Sequence, residues 1–423
     1  MTSFLDELQW RALLHQTAGQ GAEAHLRTPG RIGYCGFDPT RDSLTIGNFV
    51  AIKMLMHWQC AGHRPIVLMG GGTGLIGDPS GKDSERQLLS AEQVEANIQG
   101  QRRVFERLLD FDGPTGAVIL NNHEWLGKLG YIQMLRDVGK HFSVNAMIQR
   151  DSVRDRLQNR EQGISYTEFS YVLLQAYDFL HLRRAQNCTV QVAGSDQYGN
   201  IVAGMDLIRR ELGGDAFGVT NPLVTRADGA KIGKTAEGAV WLTADRTSPY
   251  RFYQFWINTE DADVIRFLRW FSFLDQEAIQ ALEAEQREAP HLRPAQRALA
   301  REMTALIHGQ DTVEGVELAS QALFGKTDVR SLPLDLLNEV FADVPASRHE
   351  RARLGGVSLL ELLVDTGLAQ SRREAREFLG NGAVTVNGER VGGDRTLGGE
   401  DLLHGEMILL RRGKKLWHAT RWH

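Results

Sequence analysis

The chain has 423 residues, 42% hydrophobic and 24% charged, with a net charge of −5. That length accommodates two or three domains, the composition is that of a globular protein with ample core, and the negative charge excludes a generally basic polyanion binder. Cys35, Cys60 and Cys188 are too far apart for a disulfide framework or metal-ligand spacing, no run reaches the ~18 apolar residues of a membrane span, and the acidic start Met1–Glu7 has no apolar signal region, so a cytoplasmic protein is expected.

Phe4, Leu5, Leu8, Ala12 and Leu13 recur at helical spacing and predict a helical lead-in over residues 4 to 27. Arg31–Phe37 reads as a strand ending in the turn Asp38-Pro39-Thr40. A helix is expected from near Gly47 through Met56, bounded by Gly62 and Pro65, and Pro65–Met69 reads as a buried strand. Strand, loop, helix and strand imply a parallel sheet with helices on both faces. Ligands in such sheets sit at the carboxyl ends of strands, which is where the Pro39–Asn48 loop and the loop after Met69 fall. Gly72-Thr73-Gly74-Leu75-Ile76-Gly77 has dinucleotide-fingerprint spacing, but Asp78-Pro79-Ser80-Gly81 stands where a phosphate-binding helix should open. Gly77–Lys82 also fails as a P-loop, being one residue short with Asp83 in place of Ser or Thr. The loop reads as glycines that let backbone approach a ligand, with Asp78 in the pocket.

Residues 245 to 325 carry helical patterns, for example Asp263–Leu268. Pro333 disfavours helix in the residue before it and opens a linker. From Arg351 to His423 there are 12 basic and 9 acidic residues, a local +3 against −8 for the rest, which points to a local nucleic-acid contact. There, Ser371 is the expected cap of a helix bearing Arg372, Arg373 and Arg376 largely on one side. Gly380-Asn381-Gly382 ends it, and Val384–Arg390 reads as strand and turn. Arg411, Arg412, Lys414 and Lys415, with Trp417, Arg421 and Trp422, add charge and stacking surface.

Two segments concentrate the chemistry. Pro39–Asn48 offers Thr40, Thr45 and Asn48 around Gly47, and Lys231-Ile232-Gly233-Lys234-Thr235 offers two ammonium groups on a loop freed by glycine. Such groups can hold a nucleoside triphosphate from two sides and stabilise charge on departing pyrophosphate. Together they resemble the two nucleotide signatures of class I aminoacyl-tRNA synthetases. Tyr34–Thr40, Ala61–Pro65, Thr73–Lys82, Phe169–Asp178, Gly194–Asn200 and Tyr253–Asn258 are similar to the bacterial tyrosyl member, in the family's order along essentially the whole chain.

The resemblance implies an α/β fold: a Rossmann-like parallel-sheet catalytic domain (1–225), an α-helical domain (226–330), a linker (331–355) and a small α+β S4-like RNA-binding domain (356–423). It implies ATP-dependent activation of L-tyrosine and its transfer to tRNA(Tyr). Tyr34 and Asp178 would bind the substrate phenol, and Asp78, Tyr171 and Gln175 its ammonium group, with Gln197 near the reacting carboxylate. Gly36, Asp38, Gly47, Asn48, Asp196 and Lys234 would bind ATP. Thr40, Thr45, Lys82, Arg86, Lys231, Lys234 and Thr235 would surround the reacting phosphates. Magnesium would accompany ATP without a dedicated metal cage, and a homodimer would form through residues near 125 to 180. A carboxylate and a phenol aimed at the substrate hydroxyl are both left unpaired by phenylalanine, the discrimination this class of synthetase is known for. One departure stands out: Thr45, and in many members Asn48, replace histidines usual in the family. Tryptophanyl-tRNA synthetase is disfavoured by Tyr34, Asp178 and the S4-like tail. A non-catalytic RNA-binding paralogue is favoured by Thr45 alone and disfavoured by Lys82, Arg86, Lys231 and Lys234.

Overall fold

The structure, a computed structural model, describes residues 3–78, 89–150, 153, 154, 157, 164–230, 232–235, 238–323, 329–342, 344–413 and 416–423. Its residues form two compact units, one of Met1–Thr247 with Phe255–Met303, the other of Ser248–Gln254 with Thr304–His423. No helix among the described residues is long and apolar enough to cross a membrane.

The first unit is built on strands β1 (Gln16–Ala18), β2 (Ile32–Phe37), β3 (Arg64–Met69), β4 (Val118–Asn121), β5 (Val190–Gly194) and β6 (Phe217–Asn221), in the order β1-β6-β5-β2-β3-β4. All neighbours pair in parallel except β1, which runs antiparallel to β6. The interior strands read as near-continuous apolar runs because both faces are covered, as in Pro65–Met69, buried throughout. The chain passes from β2 to β3 on one side and later adds β5 on the other. The carboxyl ends of β2 and β5 therefore flank a topological switch point, where such sheets bind ligands.

The expected lead-in helix is two short helices, α1 (Phe4–Trp10) and α2 (Ala22–Arg27), with β1 between them. Gln16↔Thr220 pairing to β6 competes with helix there, and Gly19 and Gly21 adopt φ of +102° and +79°. Helix α3 (Ile46–Cys60) connects β2 to β3 and buries residues on all sides, including Ile46, Phe49, Ile52, Leu55 and Trp58. Gly33 on β2 makes room for it, since a Cβ there would lie 2.9 Å from the Trp58 indole. Helix α4 (Ala91–Leu108) opens with a Ser90/Gln93 capping box. Two further helices flank β5: α5 (Tyr166–Gln186), capped by Ser165 and ended by Asn187 at φ +54°, and α6 (Tyr198–Leu212).

The second unit contains β9 (Ala346–His349), β10 (Val384–Val386), β11 (Glu389–Val391), β12 (Met407–Arg412) and β13 (Leu416–Trp422), ordered β11-β10-β12-β13-β9. Helices α7 (Leu359–Asp365) and α8 (Arg372–Gly380) share its core through Leu359, Leu362, Leu363, Ala375 and Leu379. The stretch 331–355, read from sequence as a linker, carries the helix Leu334–Val340 and β9, which pairs in parallel with β13. Ser371 caps α8 as expected by accepting from the Glu374 N–H. Asn387 and Gly388, at φ +49° and +86°, turn β10 into β11 in the tight hairpin that an Asn-Gly pair favours.

Candidate active site

One part of the pocket, where the resemblance places an amino acid, grows from β2, α5 and the end of β4. Tyr34 is 1% exposed, its ring against Phe179 (5.2 Å between centroids) and its hydroxyl unpaired. Burial, and then the charge of Asp178, push that hydroxyl well above the ordinary phenol pKa. Asp178, on the buried face of α5, accepts 2.9 Å from Asn122 Nδ2 and 2.7 Å from Trp125 Nε1. Burial raises its pKa to about 7, opposed by those two hydrogen bonds and assisted by Asp38. A phenol and a carboxyl thus meet in a low-dielectric pocket with the phenol unsatisfied, which is what a second phenol would complete.

Beside it lies a set of carboxylates. The Tyr171 hydroxyl donates to Asp38 (3.3 Å), and Thr73 donates to the other oxygen of Asp38 (2.9 Å). Tyr171, expected on the ammonium side with Asp78 and Gln175, is thus joined directly to Asp38, expected on the ATP side. Gln175 lies half-buried on α5, three residues before Asp178. Asp78 follows Gly77 (φ +91°) and accepts from Gln197 Nε2 at 2.8 Å. Burial first, then Asp38, Asp78 and Asp178, raise the Tyr171 hydroxyl well above its usual range. Such a pocket attracts an ammonium group. Close loop approach depends on glycine: a Cβ at Gly70 would lie 2.3 Å from Asp38 Oδ1.

The part where the resemblance places a nucleotide is the turn from β2 into α3. Gly36 is exposed on β2 with open space where a Cβ would project, and half-buried Thr40 follows Pro39. Thr45 is the N-cap of α3, and both its N–H (3.0 Å) and its hydroxyl (2.8 Å) donate to Asn48 Oδ1, which leaves Asn48 Nδ2 as a donor. Helix α4 props the loop from below: Asn97 donates to the Pro39 carbonyl and Gln101 to the Arg41 carbonyl, both at 2.9 Å. Gly100 between them is a contact point, since a Cβ there would lie 2.0 Å from the Asp42 carbonyl oxygen.

The two signature segments come together. A Cβ on Gly233, at φ +78°, would sit 3.6 Å from the Gly47 nitrogen. Ile46 N–H donates to the Val240 carbonyl (3.1 Å), and Leu242 N–H to the Leu44 carbonyl (2.8 Å). Lys234 and Thr235 form β7, paired with β8 (Gly238–Ala239). Lys82, Arg86 and Lys231 lie outside the described residues. Asp196 and Gln197 form a short 3₁₀ turn after β5, across the switch point from Asp38.

In the second unit Arg372, Arg373 and Arg376 are exposed on α8, with Arg372 donating to Glu361 at 3.0 Å. Arg411 and Arg412 are half-buried. Arg412 donates to the Leu368 carbonyl (2.7 Å) and lies over Phe378, and Arg411 lies over Trp417. Lys414 and Lys415 are outside the described residues. The expected stacking surface of Trp417 and Trp422 is corrected: they are 8% and 1% exposed, on opposite faces of β13, Trp417 covered by Phe341 and Trp422 lying in the core of α7 and α8 and stacking on His349. Cys35 is buried, as an ordinary packed cysteine is.

Asn122, Trp125, Thr73, Arg150 and Asn200 escaped the sequence reading. Asn122 holds the first layer in register, linking the Gly72 N–H (2.7 Å), Thr73 (3.1 Å) and Asp178 (2.9 Å). Its position just past β4, at a strand's carboxyl end, is the signal that could have found it.

Comparison with known proteins agrees with this geometry. A family described as "tRNA synthetases class I (W and Y)" matches residues 30–325, and one described as "Tyrosine--tRNA ligase SYY-like C-terminal domain" matches residues 337–420. The chain is 51% identical over 422 residues to the tyrosine–tRNA ligase of Bacillus caldotenax and 50% identical over 422 residues to that of Geobacillus stearothermophilus, covering 99% of both chains in each case. Its structure is similar to a C-terminally truncated mitochondrial tyrosyl-tRNA synthetase of Aspergillus nidulans, with a TM-score of 0.69 and 30% identity over 77% of this chain and 95% of that one. The chain therefore belongs to the class I tRNA synthetases and, within them, to the tyrosine–tRNA ligase family.

Proposed function

We infer that the chain activates L-tyrosine with ATP, releasing pyrophosphate, and then transfers tyrosine from the adenylate to the 3′ ribose of tRNA(Tyr). The observation that carries the amino-acid choice is the buried, unpaired Tyr34 hydroxyl beside Asp178. The substrate phenol would accept from Tyr34 and donate to Asp178, and phenylalanine would leave both unsatisfied. Asp78, Tyr171 and Gln175 would hold the ammonium group, with Asp38 completing the acidic surround. Gln197 Nε2 would face the reacting carboxylate.

ATP would lie across the carboxyl ends of β2 and β5. Gly36 and Gly47 would give it access, Asp196 would contact the ribose, and Asn48 Nδ2 would donate to the nucleotide. Attack of a tyrosine carboxylate oxygen on the α-phosphorus breaks its bond to the pyrophosphate oxygen. Thr40, Thr45, Lys82, Arg86, Lys231, Lys234 and Thr235 would stabilise the charge that moves onto that leaving group. No covalent enzyme intermediate is needed, so positioning and electrostatics supply the acceleration. Magnesium enters with ATP as part of that substrate.

The RNA-binding role falls to Arg372, Arg373, Arg376, Arg411, Arg412, Lys414 and Lys415, reading tRNA by backbone and shape. We propose a catalytic domain at 1–225, a helical domain at 226–330 and an S4-like domain at 356–423, with the stretch 331–355 leading into the S4-like domain and lending β9 to its sheet, in a cytoplasmic homodimer. Tyr131, Ile132, Val144 and Tyr166 are 57–74% exposed, and this apolar surface within the expected dimer segment supports self-association. The test is charging of a tRNA(Tyr) transcript with labelled tyrosine. Acid-precipitable, ester-linked tyrosine is expected, and its absence from protein that still exchanges pyrophosphate would remove the transfer step.

A further inference from the structure

We propose that Arg150 is a positioning residue for tyrosine activation, anchoring through Asn200 the oxygen end of the Gln197 amide. This rests on the reading of Gln197 as the group beside the reacting carboxylate.

Arg150 lies two residues past the helix Val144–Ile148, and its Nη2 donates to Asn200 Oδ1 at 2.7 Å. Asn200, 5% exposed on α6, donates from Nδ2 to Gln197 Oε1 at 2.8 Å. Gln197 Nε2 then donates to Asp78 Oδ2 at 2.8 Å and to Asp196 Oδ2 at 3.3 Å. An amide is nearly the same shape either way round, so each takes its orientation from its neighbours: Arg150 fixes the Asn200 end, while the acceptor-only carboxylates of Asp78 and Asp196 hold the Gln197 NH₂ end. A guanidinium has donors only. Its contact with Asn200 requires the oxygen on that side and turns the Asn200 NH₂ toward Gln197. That NH₂ in turn requires the Gln197 oxygen, and the Gln197 NH₂ is what remains for Asp78, Asp196 and an incoming carboxylate. One permanently charged donor at the head of the chain thus polarises every bond in it.

Gly199 makes the arrangement possible. A Cβ there would approach Arg150 Nη2 to 2.8 Å, so the missing side chain is the space the guanidinium occupies at the start of α6. Without Arg150 the Asn200 amide can turn its oxygen toward Gln197 Oε1, acceptor against acceptor, so Gln197 keeps its pull toward Asp78 and Asp196 but loses the bond that holds its other end on line with the substrate carboxylate. The site then loses a donor aimed at the reacting group, which falls on the rate of activation.

The test is tyrosine-dependent pyrophosphate exchange without tRNA, so that any RNA contact of Arg150 plays no part. The variants are Arg150→Met, Arg150→Lys, Asn200→Asp, Gln197→Met and the double Arg150→Met/Gln197→Met, each with a melting curve. Asn200→Asp keeps the acceptor for Arg150 and removes the donor to Gln197, so it tests the relay should Arg150→Met fold poorly. Arg150→Met and Asn200→Asp are expected to lower kcat by about tenfold or more, the scale of one lost charge-assisted hydrogen bond. Arg150→Lys, still donor-only, should retain most of the rate. The double variant should be no slower than Gln197→Met, because the two act through one group. A wild-type rate in Arg150→Met, or losses that multiply independently in the double variant, would overturn the relay. A wild-type rate in Gln197→Met would instead overturn the reading of Gln197, and the proposal with it.

Discussion

At the residue scale the pocket turns on Asp178. Its carboxyl titrates near 7 because it is buried, even though Asn122 and Trp125 donate to its charged form. The ionised form is the better acceptor for a substrate phenol, so kcat/KM for tyrosine should rise with pH through about 7. Trp125→Phe removes one donor to the carboxylate, raises that pKa further and should move the limb to higher pH; an unmoved limb would separate it from Asp178. The stability linkage has a definite sign. A native pKa of about 7, against about 3.8 for an aspartate in the unfolded chain, means the native state binds the proton more tightly. The contribution favouring folding is full below about pH 4 and fades as pH rises through 7, and Asp178→Asn should flatten that part of the stability–pH curve. Thr45 offers a hydroxyl where the family commonly has an imidazole, so Thr45→Val should slow pyrophosphate exchange by about tenfold with little change in tyrosine KM. That Tyr34 and Asp178 share a buried pocket and that Thr45 opens α3 followed from motifs that fix their neighbours. Asn122 and Trp125 were not legible, because their roles exist only once β4 lies beside β3 and α5 folds back across them.

At the scale of elements, the site depends on how closely backbones approach. Gly100 on α4 and Gly233 on the lysine loop each face the Pro39–Asn48 segment or its helix. Gly→Ala inside a helix usually stabilises by about 1 kcal/mol. At Gly100 the added Cβ would lie 2.0 Å from the Asp42 carbonyl. Gly100→Ala should therefore lower the melting temperature and raise the KM for ATP more than that for tyrosine, and a stabilised variant with unchanged ATP kinetics would refute the prop. The βαβ core was readable from buried strands separated by an apolar helix. The lead-in was misread because β1 is an edge strand of only three residues whose partner, β6, lies some two hundred residues later. The tryptophans of β13 were misread for a similar reason: they lie on opposite faces of the strand, and what covers each face, Phe341 on one and the helical core on the other, comes from distant parts of the chain.

For the whole molecule, the proposed function assigns activation and RNA capture to separate residues. Arg372, Arg373 and Arg376 stand exposed on α8, while Arg411 and Arg412 are partly engaged within their unit. The triple variant Arg372→Glu/Arg373→Glu/Arg376→Glu should raise the KM for tRNA, reduce its salt dependence by about one slope unit per lost phosphate contact, and leave tRNA-free exchange unchanged. Ile132, 74% exposed, should matter to assembly, and Ile132→Asp should shift the sedimentation coefficient toward that of a single chain. The charge asymmetry along the chain could be read from composition, whereas the two compact units, each drawing on separated stretches of chain, could not.

The most direct measurement of the central claim is exchange of labelled pyrophosphate into ATP, in the absence of tRNA, with tyrosine, phenylalanine or tryptophan as the only amino acid. Exchange with tyrosine alone is the predicted result. It would establish activation, the selectivity of the Tyr34–Asp178 pocket and the competence of the Thr45 signature together. Folded protein that binds ATP and exchanges with none of the three, or equally with phenylalanine, would contradict it.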